Sequence, residues 1–191
     1  PGPGEGKTTT IVNLAMTYAN LGKKTILIDC DLRKPVTHKI FSIEKEPGIS
    51  KYLSGNSNDF SKIIRSTEVK NLSAMTCGII PPNPSEILSS DQMGNLIKEL
   101  RNQYDVILID SPPLLAVTDA FVCMKHVNQF IMVIRSGKTE KGGLDRSIEQ
   151  LKQTNSPLSG VIFNDVNESN SYGKGYYYNY YQYYYAENNE S

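Results

Sequence analysis

An α/β fold is predicted, with a mostly parallel sheet covered by helices on both faces. Two observations carry that expectation. Short apolar runs at residues 25–28, 106–109, 130–134 and 161–163 alternate with stretches of helical periodicity. A glycine-rich segment opens the first of those helices, as in a strand–loop–helix unit. Alternation of this kind implies right-handed crossovers and a sheet buried on both sides. Ligands then sit beyond the carboxyl ends of the strands.

The elements follow in order. Ile11, Leu14, Ala15, Tyr18 and Leu21 recur at helical spacing and mark the expected buried side of the first helix, with Gly22 as its stop. Residues 25–28 (Thr-Ile-Leu-Ile) read as a buried strand ending at Asp29. Residues 32–70 are mixed and polar, with short helices expected near 49–53 and 60–64, and residues 72–75 as a further strand. Pro81-Pro82-Asn83-Pro84 breaks the chain before one helix whose buried side is Ile87, Leu88, Met93, Leu96, Ile97 and Leu100. Residues 106–109 form the clearest buried strand, closed by Asp110-Ser111-Pro112-Pro113. Two more strands, at 130–134 and 161–163, flank a helix with Leu144, Ile148 and Leu151 on one face. After Asn164 the aliphatics give out, so too little can be buried to offset ordering entropy. The expected division is a folded domain over 1–165 and a flexible tail over 166–191.

Bulk composition excludes several classes. The 191 residues suffice for one good core. Twenty basic and twenty acidic residues cancel, so whole-chain charge offers no argument for a nucleic-acid partner. Cys30, Cys77 and Cys123 show no metal or redox spacing and read as reduced thiols. His38 and His126 stand alone, which argues against an imidazole metal site. No apolar run approaches the roughly 20 residues of a membrane-spanning helix. The sequence opens inside the glycine-rich loop, whereas such loops normally follow a buried strand. A first strand is therefore expected to be missing.

The opening segment Pro3-Gly4-Glu5-Gly6-Lys7-Thr8-Thr9 has the core of a phosphate-binding P-loop. Small residues let main-chain amides turn toward an anion, and the helix starting near Lys7 aims its positive end at the same point. Lys7 can reach the β- and γ-phosphates, and the Thr8 hydroxyl can hold Mg²⁺. Gly4, Glu5, Gly6, Lys7, Thr8 and Thr9 are the expected nucleotide contacts. The strict pattern asks for glycine at the position occupied by Pro1, a departure at the first element. Two acidic strand ends accompany the loop: Asp29-Cys30-Asp31-Leu32-Arg33, and Asp110. Carboxylates beside a triphosphate suit Mg²⁺, and one not tied to metal can accept a proton from an attacking hydroxyl.

Asp29-x-Asp31-x-Arg33 after an apolar strand resembles the second aspartate motif (Walker A′) of the bacterial tyrosine kinases, within the MinD/ParA-like P-loop superfamily. Asp110-Ser111-Pro112-Pro113 is similar to that family's Walker B. Ile80-Pro81-Pro82-Asn83-Pro84-Ser85-Glu86 and Thr118-Asp119-Ala120 also look like family segments. The resemblance spans nearly the whole chain and is greatest to the cytoplasmic kinases of capsular and exopolysaccharide synthesis. It implies ATP and Mg²⁺ as cofactors, with Lys7 on phosphate, Thr8 and Asp31 on Mg²⁺, and Asp110 supporting the metal. It makes Asp29 the base for a tyrosine hydroxyl and Asn164 an adenine contact. The helix that members carry ahead of the loop, with its assembly motif, is absent from these residues.

Nine of the twelve tyrosines crowd the end of the chain: Tyr172, Tyr176, Tyr177, Tyr178, Tyr180, Tyr181, Tyr183, Tyr184 and Tyr185. Alone they would read as a polar-aromatic low-complexity tail. Beside a nucleotide site they read as phosphate acceptors, and the family carries such a cluster at this end. The resemblance further implies a homo-oligomeric ring in which each tail visits the next active site. It also implies a membrane-protein activator of the polysaccharide co-polymerase type, which would hold the kinase at the cytoplasmic face of the membrane. A MinD/ParA-like ATPase switch and a non-catalytic nucleotide-binding module are the alternatives. The switches carry a lysine five residues before the loop lysine, where this chain has Gly2.

Overall fold

The segment Thr-Ile-Leu-Ile-Asp is apolar on both faces, so it is stable only when covered on both, and it forms the wholly buried strand β1 (Thr25–Asp29). The computed structural model describes residues 2–55, 59–154 and 158–166. Around β1 a four-stranded sheet is ordered β2 (Ile64–Ser66), β3 (Leu72–Met75), β1, β4 (Val106–Asp110). β1 pairs in parallel with β3 and β4, and β2 is an antiparallel edge. A separate parallel pair joins β5 (Phe130–Arg135) to β6 (Leu158–Asn164). The mostly parallel α/β architecture expected from the alternation is the one observed.

Helices cover both faces. On one side Ile26 and Ile28 meet Met93, Leu96, Ile97 and Leu100 of α5 (Asp91–Leu100), with Ile49 of α3 (Ile49–Leu53) and Ile63 of a 3₁₀ turn (Phe60–Ile63). The spacing of those four α5 residues is that of one helical face. On the other side Leu27 and Leu72 meet Val12, Ala15 and Ala19 of α1 (Lys7–Asn20). Met132 of β5 packs with Leu151 of α7 (Lys141–Gln153) and with Ala120 and Met124 of α6 (Asp119–Met124).

Three local expectations are corrected. The helix expected after Pro84 is two helices, α4 (Pro84–Leu88) and α5, because Ser90 is extended between them. The Ser89 and Ser90 hydroxyls bond back to the carbonyls of Ser85 and Ile87, competing with the helical ladder. Leu21 lies past the end of α1 and is 71% exposed, off the buried side. A further short helix, α2 (Thr37–Ile40), lies in the mixed, polar stretch where short helices are expected only near 49–53 and 60–64.

β4, expected to be the clearest buried strand, is only half-buried along Val106–Ile109, whereas β1 beside it is wholly buried. The reason is a cavity of about 590 Å³ between β4 and β5, lined by both strands and by Ile11, Leu14 and Tyr18 of α1. Those three α1 residues are half-buried for the same reason. The carboxyl ends of β4 and β5 both reach the glycine-rich loop, through Asp110–Thr8 and Arg135–Gly4 bonds, so the two strands run in the same direction. The slot is lined mainly by apolar side chains and is bounded by the facing edges of β4 and β5.

Candidate active site

The loop is held open from outside. Gly4 (φ 68°) and Gly6 (φ 92°) both take left-handed backbone, which turns successive amides inward. A Cβ on Gly6 would come within 2.2 Å of the Asn164 side-chain nitrogen, displacing it from the loop, and at φ 92° it would be strained whatever the space. The carbonyls turned outward have donors. Lys7 Nζ donates to the Gly2 carbonyl at 2.6 Å, and Asn164 Nδ2 to that of Glu5 at 3.0 Å. Arg135 Nη1 and Lys138 Nζ each donate to the Gly4 carbonyl at 3.2 Å. Glu5 accepts from the Gly2 amide at 2.7 Å and from the Thr139 hydroxyl at 2.6 Å. The loop is thus bolted to the ends of β5 and β6, while the helix it starts packs on the other sheet. Gly6 caps α1 without a side chain, so no capping side chain competes with an anion for the first amides of the helix. Thr9 is exposed at that end.

The acidic groups gather at the same edge. β1 and β4 align Asp29 opposite Asp110, and the Cys30 amide donates to the Asp110 carbonyl at 2.9 Å. The Thr8 hydroxyl donates to Asp110 Oδ2 at 2.6 Å, tying helix to strand. Asp31 is half-buried, and its Oδ1 accepts from the amides of Arg33 at 3.2 Å and Lys34 at 3.0 Å, as a turn cap does. Asp29 is wholly buried, takes the Thr37 amide on Oδ2 at 3.2 Å, and leaves Oδ1 without a hydrogen-bond partner among the described residues. Lys7, Thr8, Asp29, Asp31 and Asp110 are therefore brought together. Asn164 stands against the loop carbonyl, with its Oδ1 accepting from the Asp165 amide at 2.9 Å. The nine tail tyrosines lie outside the described residues.

Burial pushes the Asp110 carboxyl up to about 7, assisted by the charges of Asp29 and Asp31 and offset by Thr8 and Lys7. Burial likewise lifts Asp29 to about 6, with Thr37 pulling the other way. Burial draws the Lys7 ammonium below its usual value, while Glu5, Asp110 and Asp31 pull it back. The group that this charge pattern lacks is a cation. The Thr8 hydroxyl and the Asp110 carboxylate it bonds to are hard oxygen donors of the kind Mg²⁺ takes beside waters and substrate phosphates. The unpartnered Asp29 oxygen, the hydroxyl–carboxylate pair and the inward amides together fit a magnesium nucleotide.

A pH dependence follows. Asp110 titrates near 4 when unfolded and near 7 when folded, so its burial penalty is full above pH 7 and vanishes below pH 4. Without Mg²⁺, Asp110→Asn is expected to melt several degrees above the wild type at pH 8, and the gap to close as pH falls through 7 toward 4. Thermal melts across that range check it; a gap independent of pH contradicts the assignment.

Arg135, Lys138 and Thr139 are functional neighbours that the motif reading passed over. The rule that picked Asp29 and Asp110, a polar residue at the carboxyl end of an apolar strand, also selects Arg135.

Residues 2–160 match the family described as AAA domain. The tyrosine-protein kinase YwqD of Bacillus subtilis is 42% identical over 175 residues, covering 92% of this chain and 73% of that protein. The tyrosine-protein kinase CpsD of Streptococcus pneumoniae serotype 4 is 39% identical over 173 residues, covering 90% of this chain and 76% of its own length. The solved kinase domain of the Escherichia coli tyrosine kinase ETK superposes with a TM-score of 0.84 at 34% identity, covering 89% of this chain and 66% of that one. The family match spans the glycine-rich loop and both acidic strand ends, and the chain belongs to the bacterial tyrosine kinases of the P-loop AAA-domain family.

Proposed function

We propose that the chain transfers the γ-phosphoryl group of ATP to tyrosine hydroxyls, first to those of its own Tyr172–Tyr185 cluster. The observation that carries this reading is the buried Asp29 carboxylate with one oxygen unengaged, set beside Asp110 and the Lys7–Thr8 loop end. Phosphoryl transfer asks mainly for positioning and charge neutralisation. The loop amides and Lys7 hold the β- and γ-phosphate oxygens. Thr8, Asp31 and Asp110 would hold Mg²⁺, which when bound neutralises developing charge on those oxygens. Asp29 orients the tyrosine hydroxyl and takes its proton as the phenolic oxygen bonds to phosphorus and ADP leaves. Lifted to about 6, Asp29 is still mostly ionised at neutral pH, whereas a phenol of pKa about 10 is not.

The acceptor segment suits transfer between subunits. An extended chain of about 26 residues spans up to roughly 90 Å, enough to reach a neighbouring site in a head-to-tail ring. Each phosphotyrosine adds about −1.5 to −2 charges at neutral pH, so heavy modification would expel tails from the acidic site and loosen the ring. The likeness to tyrosine-protein kinase CpsD and to the protein named putative tyrosine-protein kinase EpsB of Ralstonia solanacearum supports the kinase reading, and the motif resemblance to the kinases of capsular and exopolysaccharide synthesis supports a role in polysaccharide synthesis and export. The same motif resemblance implies activation by a membrane protein's cytoplasmic segment, which would place the chain at the inner membrane face. No helix among the described residues is long and apolar enough to cross a membrane.

Incubation with ATP–Mg²⁺ followed by anti-phosphotyrosine blotting tests the transfer. A MinD/ParA-like switch yields free phosphate and no blot signal, and a regulatory module yields neither. Replacing all nine tail tyrosines by phenylalanine is expected to remove the signal while leaving ADP affinity unchanged. Sizing before and after ATP treatment checks the ring; a size that ignores phosphorylation contradicts that part.

A further inference from the structure

Asp119 carries a charge on a side chain that is wholly buried. Such a charge persists only where it is paired and hydrogen-bonded. It has three donors. Arg33 Nε reaches Oδ2 at 2.8 Å, Arg33 Nη2 reaches Oδ1 at 3.2 Å, and the Ser85 hydroxyl donates to Oδ1. Burial pushes the carboxyl up, but Arg33 and Ser85 more than offset it and hold it below the usual carboxylate range. The planar guanidinium fork matches a carboxylate in two bonds at once. The three partners come from three separate segments: the loop after β1, the first turn of α4, and the start of α6.

Arg33 also shares a turn with Asp31, whose Oδ1 caps the amides of Arg33 and Lys34. The Arg33 side chain is 43% exposed, so without Asp119 its head would swing into solvent and the turn would lose its anchor. We infer that Asp119, gripping Arg33 and braced by Ser85, is a positioning residue that fixes the Asp31 carboxylate for the magnesium nucleotide. This rests on the nucleotide-site reading above. It gives the Thr118-Asp119 and Pro84-Ser85 segments a task that neither has through direct contact with the loop.

The test uses the full chain, with ADP and Mg²⁺ as probes and three variants: Asp119→Asn, Arg33→Met and the pair. Because the pair variant removes both charges and leaves neither buried without its partner, it carries the test even where a single variant fails to fold. Three results are expected for each single variant. ADP affinity without Mg²⁺ stays within about two-fold of wild type. The Mg²⁺ concentration that half-saturates the gain in ADP affinity rises about 10-fold, the lower end for partners that orient metal ligands. The amides of Arg33 and Lys34 exchange hydrogen faster. The double variant matches the singles, since both break one link. Loss of a cation near the metal would by charge alone lower the Mg²⁺ requirement, so the sign for Arg33→Met separates positioning from electrostatics. A wild-type Mg²⁺ response in variants that melt lower makes Asp119 a structural staple and overturns the inference, as do additive effects. Wild-type protein whose ADP binding ignores Mg²⁺ instead overturns the nucleotide-site reading, and the inference with it.

Discussion

Lys7→Met abolishes incorporation of label from γ-labelled ATP, by about 100-fold or more, the scale for removing one positioned donor of transition-state charge. Without nucleotide, Lys7 Nζ donates to the Gly2 carbonyl at 2.6 Å, a bond it can exchange for a phosphate oxygen. Burial already opposes its charge, and Glu5, Asp110 and Asp31 are what keep it worthwhile there. Methionine keeps the length and removes the charge, so the fold is expected to survive. A melting temperature within a few degrees of wild type, beside lost labelling, is the predicted pair of results. Labelling that persists in a folded variant places phosphate recognition elsewhere.

An apolar five-residue segment seated as a strand in the slot between β4 and β5 raises the melting temperature by about 10 °C. The slot between β4 and β5 leaves Val106–Ile109 and the α1 residues Ile11, Leu14 and Tyr18 half-covered. Filling it buries side chains worth roughly 1.5–3 kcal/mol each when Val, Leu or Ile, against an ordering cost of about 1–2 kcal/mol per residue. A net gain of about 3–5 kcal/mol corresponds to that shift for a chain of this size. The added strand would turn two sheets into one and stiffen the loop at its end, so nucleotide affinity rises in parallel. A strand carrying two central asparagines in place of apolar residues should give neither effect. If both strands leave the melt unchanged, the slot is not a strand site.

Much of the site was legible because its determinants are local. Gly4 and Gly6 stand where left-handed backbone is needed, and Asp29 and Asp110 close apolar strands whose direction brings both to one edge. Three contributions were not legible, each for a physical reason. The Arg33–Asp119 pair lies 86 residues apart in sequence, and periodicity carries no information on long-range side-chain pairing. Arg135 and Lys138 act through one carbonyl of the loop, a contact that depends on how the second sheet docks. The break between α4 and α5 turns on two serine hydroxyls that bond to the backbone, against an apolar pattern that runs straight through them. The half-burial of β4 was hidden for a different reason: its sequence is that of a central strand, and only the neighbouring slot leaves one edge uncovered.

Tyrosine transfer here requires that the amide loop, Lys7 and the Asp29–Asp31–Asp110 group hold a magnesium nucleotide for attack by the phenolic oxygen. Mass spectrometry of the full-length protein after incubation with ATP and Mg²⁺ tests it most directly, with Asp29→Asn alongside. Phosphate mapped to the Tyr172–Tyr185 cluster in the wild type, and absent from the variant while ADP still binds, is the predicted result. Unmodified tyrosines accompanied by steady release of inorganic phosphate would contradict it.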